Sequence, residues 1–304
     1  MVYDDPVAFL LQQKRPLLSL EFFPPKTEAA AEELLINAEA IATHLRPDFV
    51  SITCGAGGSA RELTYAYSQI LKQRFGWTIV PHLTCAGQTR DSLLGTAESY
   101  AMMGVKSLMA LRGDPPSPRL RRTLTSEGTA WGGEFQHADQ LVALLKQEYP
   151  DLCLGVAGYP EKHPEAPTID EDLAHLKHKV SRGASFVTTQ LFFEASVYKN
   201  FMDRCRGADI RAPIIPGLLP AVSLEQVQKF CRLTRATLPQ KLLGELQSTA
   251  PEDQWKIGVE WTHNLIKELL ALGAPGIHLY ILNRSRSVLQ LAQRLNKERI
   301  FRRA

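Results

Sequence analysis

The sequence predicts an α/β protein of the (β/α)8 TIM barrel class, in one domain spanning residues 1–304. Three observations carry that expectation. Short runs rich in apolar and β-branched residues alternate eight times with longer segments of helical period, from one end of the chain to the other. The runs are near-continuously apolar, as parallel strands covered by helices on both faces must be. The length, 304 residues, is long for an ordinary domain, short for two and comfortable for one barrel. An open doubly wound sheet is the alternative fold.

Taken in order, LLSLEFF at 17–23 is the first strand and 28–44 the helix that returns the chain. DFVSITC at 48–54 precedes a helix at 60–74, IVPHLTC at 79–85 one at 89–102, and SLMALRG at 107–113 one at 138–147. The remaining strands are LCLGVAG at 152–158, SFVTTQLF at 185–192, PIIPGLL at 213–219 and GIHLYIL at 276–282. Their helices lie near 169–181, 195–205, 223–235 and 254–272, with a last one at 285–297. That is one helix beyond the eight-fold scheme, and 223–272 is expected to hold two. Thr168-x-x-Glu171 and Ser223-x-x-Gln226 are capping-box patterns that start two of these helices. The longest connection, about 115–136, contains three prolines, three glycines and a basic cluster of Arg119, Arg121 and Arg122. Connections of that length inside a compact domain are functional lids or mobile segments.

Composition removes several classes. Thirty-five Lys and Arg against 32 Asp and Glu give a net charge of +3, too even for an obligatory nucleic-acid or anionic-membrane partner. Two aspartates stand in the N-terminal MVYDDPVAFLLQQKRP where a secretory signal needs positive charge, and no apolar run approaches the roughly 18–20 residues that cross a bilayer. The expectation is a soluble cytoplasmic protein. Cys54, Cys85, Cys153, Cys205 and Cys231 are scattered, odd in number and without a C-x-x-C pair, which reads as reduced thiols, mostly buried.

In a barrel, side chains at the carboxyl ends of separate strands converge on one mouth. The polar residues so placed are Glu21, Thr53, His82, Asp114, Tyr159, Gln190 and Asn283-Arg284. Glu21 stands between Leu20, Phe22 and Phe23, and burial against aromatics raises a carboxyl pKa, which makes it a candidate general acid. The structural alternative is an outward-facing residue, or one paired to an arginine inside the barrel. Gly55-Ala56-Gly57-Gly58-Ser59-Ala60 has the dinucleotide-binding glycine pattern, but no Asp or Glu occurs between Glu62 and Asp91 to hold a ribose. It reads instead as a flexible loop that lets a cofactor approach the backbone. Asp172, His175 and Lys179 share one helical face, with His178 alongside; this is a solvated face, or a basic face turned to phosphate or ribose groups. Gln226 has a purely structural capping role open to it. Metal binding is weakly supported, because His82-x-x-Cys85 on a strand points to opposite sides. The serine elbow G-x-S-x-G, H-E-x-x-H and the P-loop are all absent from the sequence.

Taken together, LSLEFFPPK at 18–26, PHLTC at 81–85, LRGDP at 111–115, Tyr159-Pro160-Glu161-x-His163-Pro164-Glu165, Thr189-Gln190-x-Phe192-Phe193, Pro216-Gly217-x-Leu219-Pro220 and Tyr280-x-Leu282-Asn283-Arg284 resemble the signature set of the methylenetetrahydrofolate reductase family, in its bacterial form without a regulatory extension. The resemblance spans most of the chain. It implies a barrel that holds FAD noncovalently, oxidises NADH or NADPH and reduces 5,10-methylenetetrahydrofolate to 5-methyltetrahydrofolate by ping-pong hydride transfer, supplying methyl groups for methionine synthesis. By the family's pattern Glu21 protonates the folate so that its five-membered ring opens to an iminium, and Asp114 lies near flavin and folate, stabilising the cation.

The same resemblance places Gln190 against folate or nicotinamide, Thr53 near the nicotinamide, Gln226 and Arg284 near the folate, and Phe230 as an aromatic surface for either ligand. For FAD it implies Cys54, Ala56, His82, Arg112, Gly113, Asp114, Ala138, Tyr159, His163, Ala166, Asp172, His175, His178 and Lys179. Cys54 stands where Tyr is frequent, His175 where Asn is usual and His178 where Arg is usual, so ribose and phosphate contacts are expected to be rearranged. The connection at 115–136 is longer than the bacterial pattern. A homo-oligomer, dimer or tetramer, is implied, with no metal. Two rival readings are a noncatalytic folate-binding barrel and another barrel flavoenzyme such as an amino-acid dehydrogenase.

Overall fold

The computed structural model describes residues 5–54, 61–114, 133–283 and 286–301. Its sheet is all parallel, built from β1 (Leu17–Phe22), β2 (Phe49–Ile52), β3 (Ile79–Thr84), β4 (Ser107–Leu111), β5 (Cys153–Gly158), β6 (Phe186–Thr189), β7 (Ile214–Ile215), β8 (Gly217–Leu218) and β9 (Gly276–Tyr280). β1 to β7 pair successively, β1 pairs with β9, and β9 pairs with β8. β7 and β8 are the two halves of the seventh barrel strand, so the ring closes through Pro216. Proline has no N–H for a ladder and breaks the run expected at 213–219 into two. One half faces β6; the other faces β9, where the Pro216 carbonyl accepts the N–H of His278 at 2.9 Å. The fold is therefore the expected (β/α)8 barrel, and the doubly wound alternative does not hold.

Alternation along the strands separates two cores. Leu18, Leu20 and Phe22 point outward into the layer between sheet and helices, where Phe22 stacks on Trp77 with centroids 5.8 Å apart. Leu17, Phe49, Val80, Met109, Cys153, Phe186 and Ile215 fill the barrel interior. A short helix, Val7–Leu10, which the sequence reading did not anticipate, plugs the amino end of that interior. The Val7 N–H donates to Ser107 Oγ at 3.0 Å.

The helices follow the expected order. Thr27, Thr89, Thr168 and Ser223 cap four of them by accepting a backbone N–H three residues on. The region 223–272 holds three α-helices rather than two: Leu224–Thr234, Gln240–Gln247 and Gln254–Ala271. The middle one buries Leu242 and Leu246 in a satellite cluster with Leu191, Phe193, Leu219 and Val227 beside the barrel mouth. Eight residues with one glycine gave too short a helical pattern to separate it from its neighbours. Most of the 115–136 connection, the glycine-rich 55–60 stretch, Ala56 and Arg284 lie outside the described residues. Among the described residues no helix is long and apolar enough to cross a membrane.

Candidate active site

The carboxyl ends of the strands open into one cavity of about 940 Å³. Glu21, Thr53, Cys54, His82, Arg112, Gly113, Asp114, Ala138, Tyr159, His163, Ala166, Asp172, His175, Lys179, Gln190 and Phe230 all line it. Residues far apart in sequence are thus brought to one wall set.

Glu21 is 7% exposed. Leu20 and Phe22 are not its neighbours, because they point to the opposite face of β1, whereas Phe23 lines the same cavity. Oε2 lies 3.3 Å from His82 Nε2, 3.5 Å from His278 Nε2 and 3.4 Å from Ser51 Oγ. His278 is fixed in turn by Ser19 Oγ, 2.8 Å from Nδ1. Burial raises the Glu21 pKa, but the hydrogen bonds and charges of His278 and His82 outweigh it and hold the group at about 2. This corrects the expectation of a raised pKa. In this geometry Glu21 is a carboxylate flanked by two imidazoles.

The opposite wall carries charges of both signs, Lys179 and Arg112 beside Asp139, Glu165 and Asp172. Lys179 on the helix Ile169–Ser181 donates to the Ala157 carbonyl at 2.5 Å; burial lowers its pKa to about 8, with Asp172 opposing. Asp172 Oδ2 accepts the His163 N–H at 3.0 Å and so shapes the loop after β5. Of the four residues read on that helix, Asp172, His175 and Lys179 line the cavity. His178 is exposed and does not line it, since i+6 falls off the face set by i, i+3 and i+7.

Arg112, half-buried at the end of β4, makes a bidentate ion pair with Glu165 at 2.6 and 3.0 Å. Burial lowers the pKa of His163, as does Arg112, and its Nδ1 accepts the Glu165 N–H at 3.1 Å, as only an unprotonated nitrogen can. Tyr159 packs edge-on against His163 with centroids 4.5 Å apart, and burial pushes its hydroxyl up to about 12. Gly113 has φ +86, and a Cβ there would lie 2.9 Å from Thr84 Cβ, so the backbone can turn this closely only as glycine.

Two more expected residues fare differently. Gln190 lines the cavity, and its Oε1 accepts the Leu191 N–H at 2.9 Å. Gln226 does not line it; Oε1 accepts the Val222 N–H at 3.0 Å while its own N–H donates to Ser223 Oγ, which is the capping role. The metal reading of His82-x-x-Cys85 finds no geometry: Cys85 Sγ lies against the Arg112 and His137 carbonyls while His82 addresses Glu21.

The sequence reading missed His278 and Tyr280. Parity would have found them, since Ser19-x-Glu21 and His278-x-Tyr280 are polar pairs at alternate positions of otherwise apolar strands, and all four face the barrel axis. Tyr280 donates to the Thr189 carbonyl at 2.6 Å and packs edge-on against His278 with centroids 5.0 Å apart.

The family model described as methylenetetrahydrofolate reductase matches residues 7–296. A protein of Pectobacterium carotovorum named 5,10-methylenetetrahydrofolate reductase is 36% identical over 90% of this chain and 88% of its own length. One of the same name from Escherichia coli is 37% identical over 88% of this chain and 86% of its own. Among solved structures, a Clostridium thermocellum protein described as binding two copies of 5-methyl-5,6,7,8-tetrahydrofolic acid shares the fold, with TM-score 0.63, 15% identity and coverage of 95% of this chain and 98% of that one. The chain belongs to the methylenetetrahydrofolate reductase family.

Proposed function

We propose that this chain is an FAD-dependent reductase that uses NADH or NADPH to convert 5,10-methylenetetrahydrofolate into 5-methyltetrahydrofolate, the two half-reactions sharing one cavity. The observation that carries the reading is the pairing, in one cavity, of a buried carboxylate held by two imidazoles with an opposite wall of Lys179, Arg112 and His175. The donor set fits FAD: cations and backbone groups for a diphosphate, the Gly113 turn for close backbone approach, and about 940 Å³ of space. A flavin bound there would supply two-electron chemistry between the nicotinamide and the folate.

The chain's own residues do the rest. Glu21 rests ionised, with His82 and His278 on the same carboxylate oxygen; it takes up a proton relayed through an imidazole and passes it to the folate, so that the five-membered ring opens to the iminium that accepts the hydride. One proton and one hydride are consumed per turnover, the proton replaced from solvent through an imidazole. Asp114, exposed on the cavity rim, places negative charge near that cation. Gln190 has its oxygen occupied by Leu191 N–H, so its amide NH2 is the group offered to folate or nicotinamide in alternation. Phe230 supplies an aromatic face, and Thr53 stands at the end of β2 for the nicotinamide.

The test is an anaerobic visible spectrum of the FAD-supplied protein with NADH or NADPH added, then methylenetetrahydrofolate. Bleaching by a nicotinamide followed by recovery on adding the folate is the expected result. Flavin that stays reduced, or protein that takes up no flavin, overturns the reading.

A further inference from the structure

We infer that Asn283 is a positioning residue for the folate-facing wall of the cavity, acting through Phe23. The inference rests on the folate reading above. The parallel ladder between β1 and β9 ends at the Glu21–Tyr280 pair. Beyond it Leu282 and Asn283 turn into the left-handed region, with φ +51 and +58, which asparagine tolerates and leucine disfavours. β9 therefore cannot extend the ladder, and a side chain takes its place. Asn283 Oδ1 accepts the Phe23 N–H at 2.8 Å, and Nδ2 donates to the Phe23 carbonyl at 2.8 Å.

The Asn283 carbonyl accepts from Nδ2 of Asn37, in the helix Glu28–His44, at 2.7 Å. One residue thus joins the strand that carries Glu21, the strand that carries His278 and the first long helix. Phe23 and Leu282 both face the cavity. Phe23 keeps 37% of its surface exposed, so the amide clasp rather than burial fixes where it stands. The clasp needs a donor and an acceptor on one short side chain. Aspartate offers acceptors only and would set a carboxylate against the Phe23 carbonyl.

The test compares Asn283→Asp and Asn283→Gly with the wild type, all loaded with FAD, by folate KM and kcat and by hydrogen exchange at the Phe23 amide. Both substitutions suit a left-handed backbone, so the fold is retained. Asn283→Asp is expected to raise the folate KM about tenfold with a smaller fall in kcat, and Asn283→Gly to raise it as well. The Phe23 amide exchanges faster in Asn283→Gly. An unchanged KM in both variants, whatever happens to thermal stability, overturns the clasp and leaves the folate reading standing. Wild-type protein without folate-dependent turnover overturns both.

Discussion

His278 Nε2 lies 3.5 Å from Glu21 Oε2, and the two residues face the barrel axis from neighbouring strands. Burial pushes Glu21 towards the neutral form and the two imidazoles pull it back, to about 2. The folded-state value lies below the ordinary 4.5, so Glu21 contributes stability that is present above pH 4.5 and lost as pH falls towards 2. Urea denaturation of wild type and Glu21→Gln across that window is the check. The wild type is expected to lose stability with acid more steeply than the variant, and parallel profiles would show that the carboxylate is not held by the imidazoles.

Glu21→Gln is expected to separate the two proposed half-reactions. The amide keeps the volume and some hydrogen bonding but cannot take up a proton and pass it on. Folate-dependent flavin reoxidation should fall by roughly 10²-fold or more, within the range attributed to general acids, while nicotinamide-driven reduction continues. Stopped-flow absorbance of each half-reaction measures this. Equal losses in both would mean that Glu21 shapes the cavity rather than moving a proton.

Lys179 is expected to give FAD binding a pH dependence. Its pKa is lowered to about 8, chiefly by burial, so the ammonium is present below that pH and lost above it. Affinity for an anionic diphosphate should weaken as pH rises through 8, by at most about tenfold per pH unit. Lys179→Met should bind FAD more weakly at neutral pH and lack this dependence. Fluorescence titration of FAD against pH decides; identical profiles for the two proteins would remove Lys179 from the diphosphate site.

The barrel was legible because parallel strands buried on both faces leave apolar runs that alternate with helical period, and the strand ends then point to the mouth. What stayed hidden depended on side-chain direction and on breaks in regular structure. Glu21 looked aromatic-lined because Phe22 is adjacent in sequence, yet adjacency along a strand is opposition in space. His278 looked like part of an apolar run until its register beside Ser19 was known. His178 and Lys179 are neighbours in sequence, but only Lys179 reaches the cavity. Pro216, quoted within a motif, divides the seventh strand and so makes the seam at which Tyr280 crosses.

That seam yields the last prediction. A Cβ on Gly217 would lie 2.3 Å from the Thr189 carbonyl oxygen and 2.7 Å from the Tyr280 ring. Neither neighbour can yield freely, since the Tyr280 hydroxyl is bonded to that same carbonyl and its ring packs against His278. Gly217→Ala should therefore cost about 1–3 kcal/mol of stability, as overpacking does. It should also disturb the Glu21 half-reaction through His278. Gly244 is the control: it sits inside the helix Gln240–Gln247 with nothing within 4 Å of its Cβ position, and Gly244→Ala should gain about 0.5–1 kcal/mol. Urea midpoints moving in opposite directions would tie the loss at Gly217 to the crowded seam, whereas a matching shift in both variants would show that close approach at Pro216-Gly217 does not govern how the barrel closes.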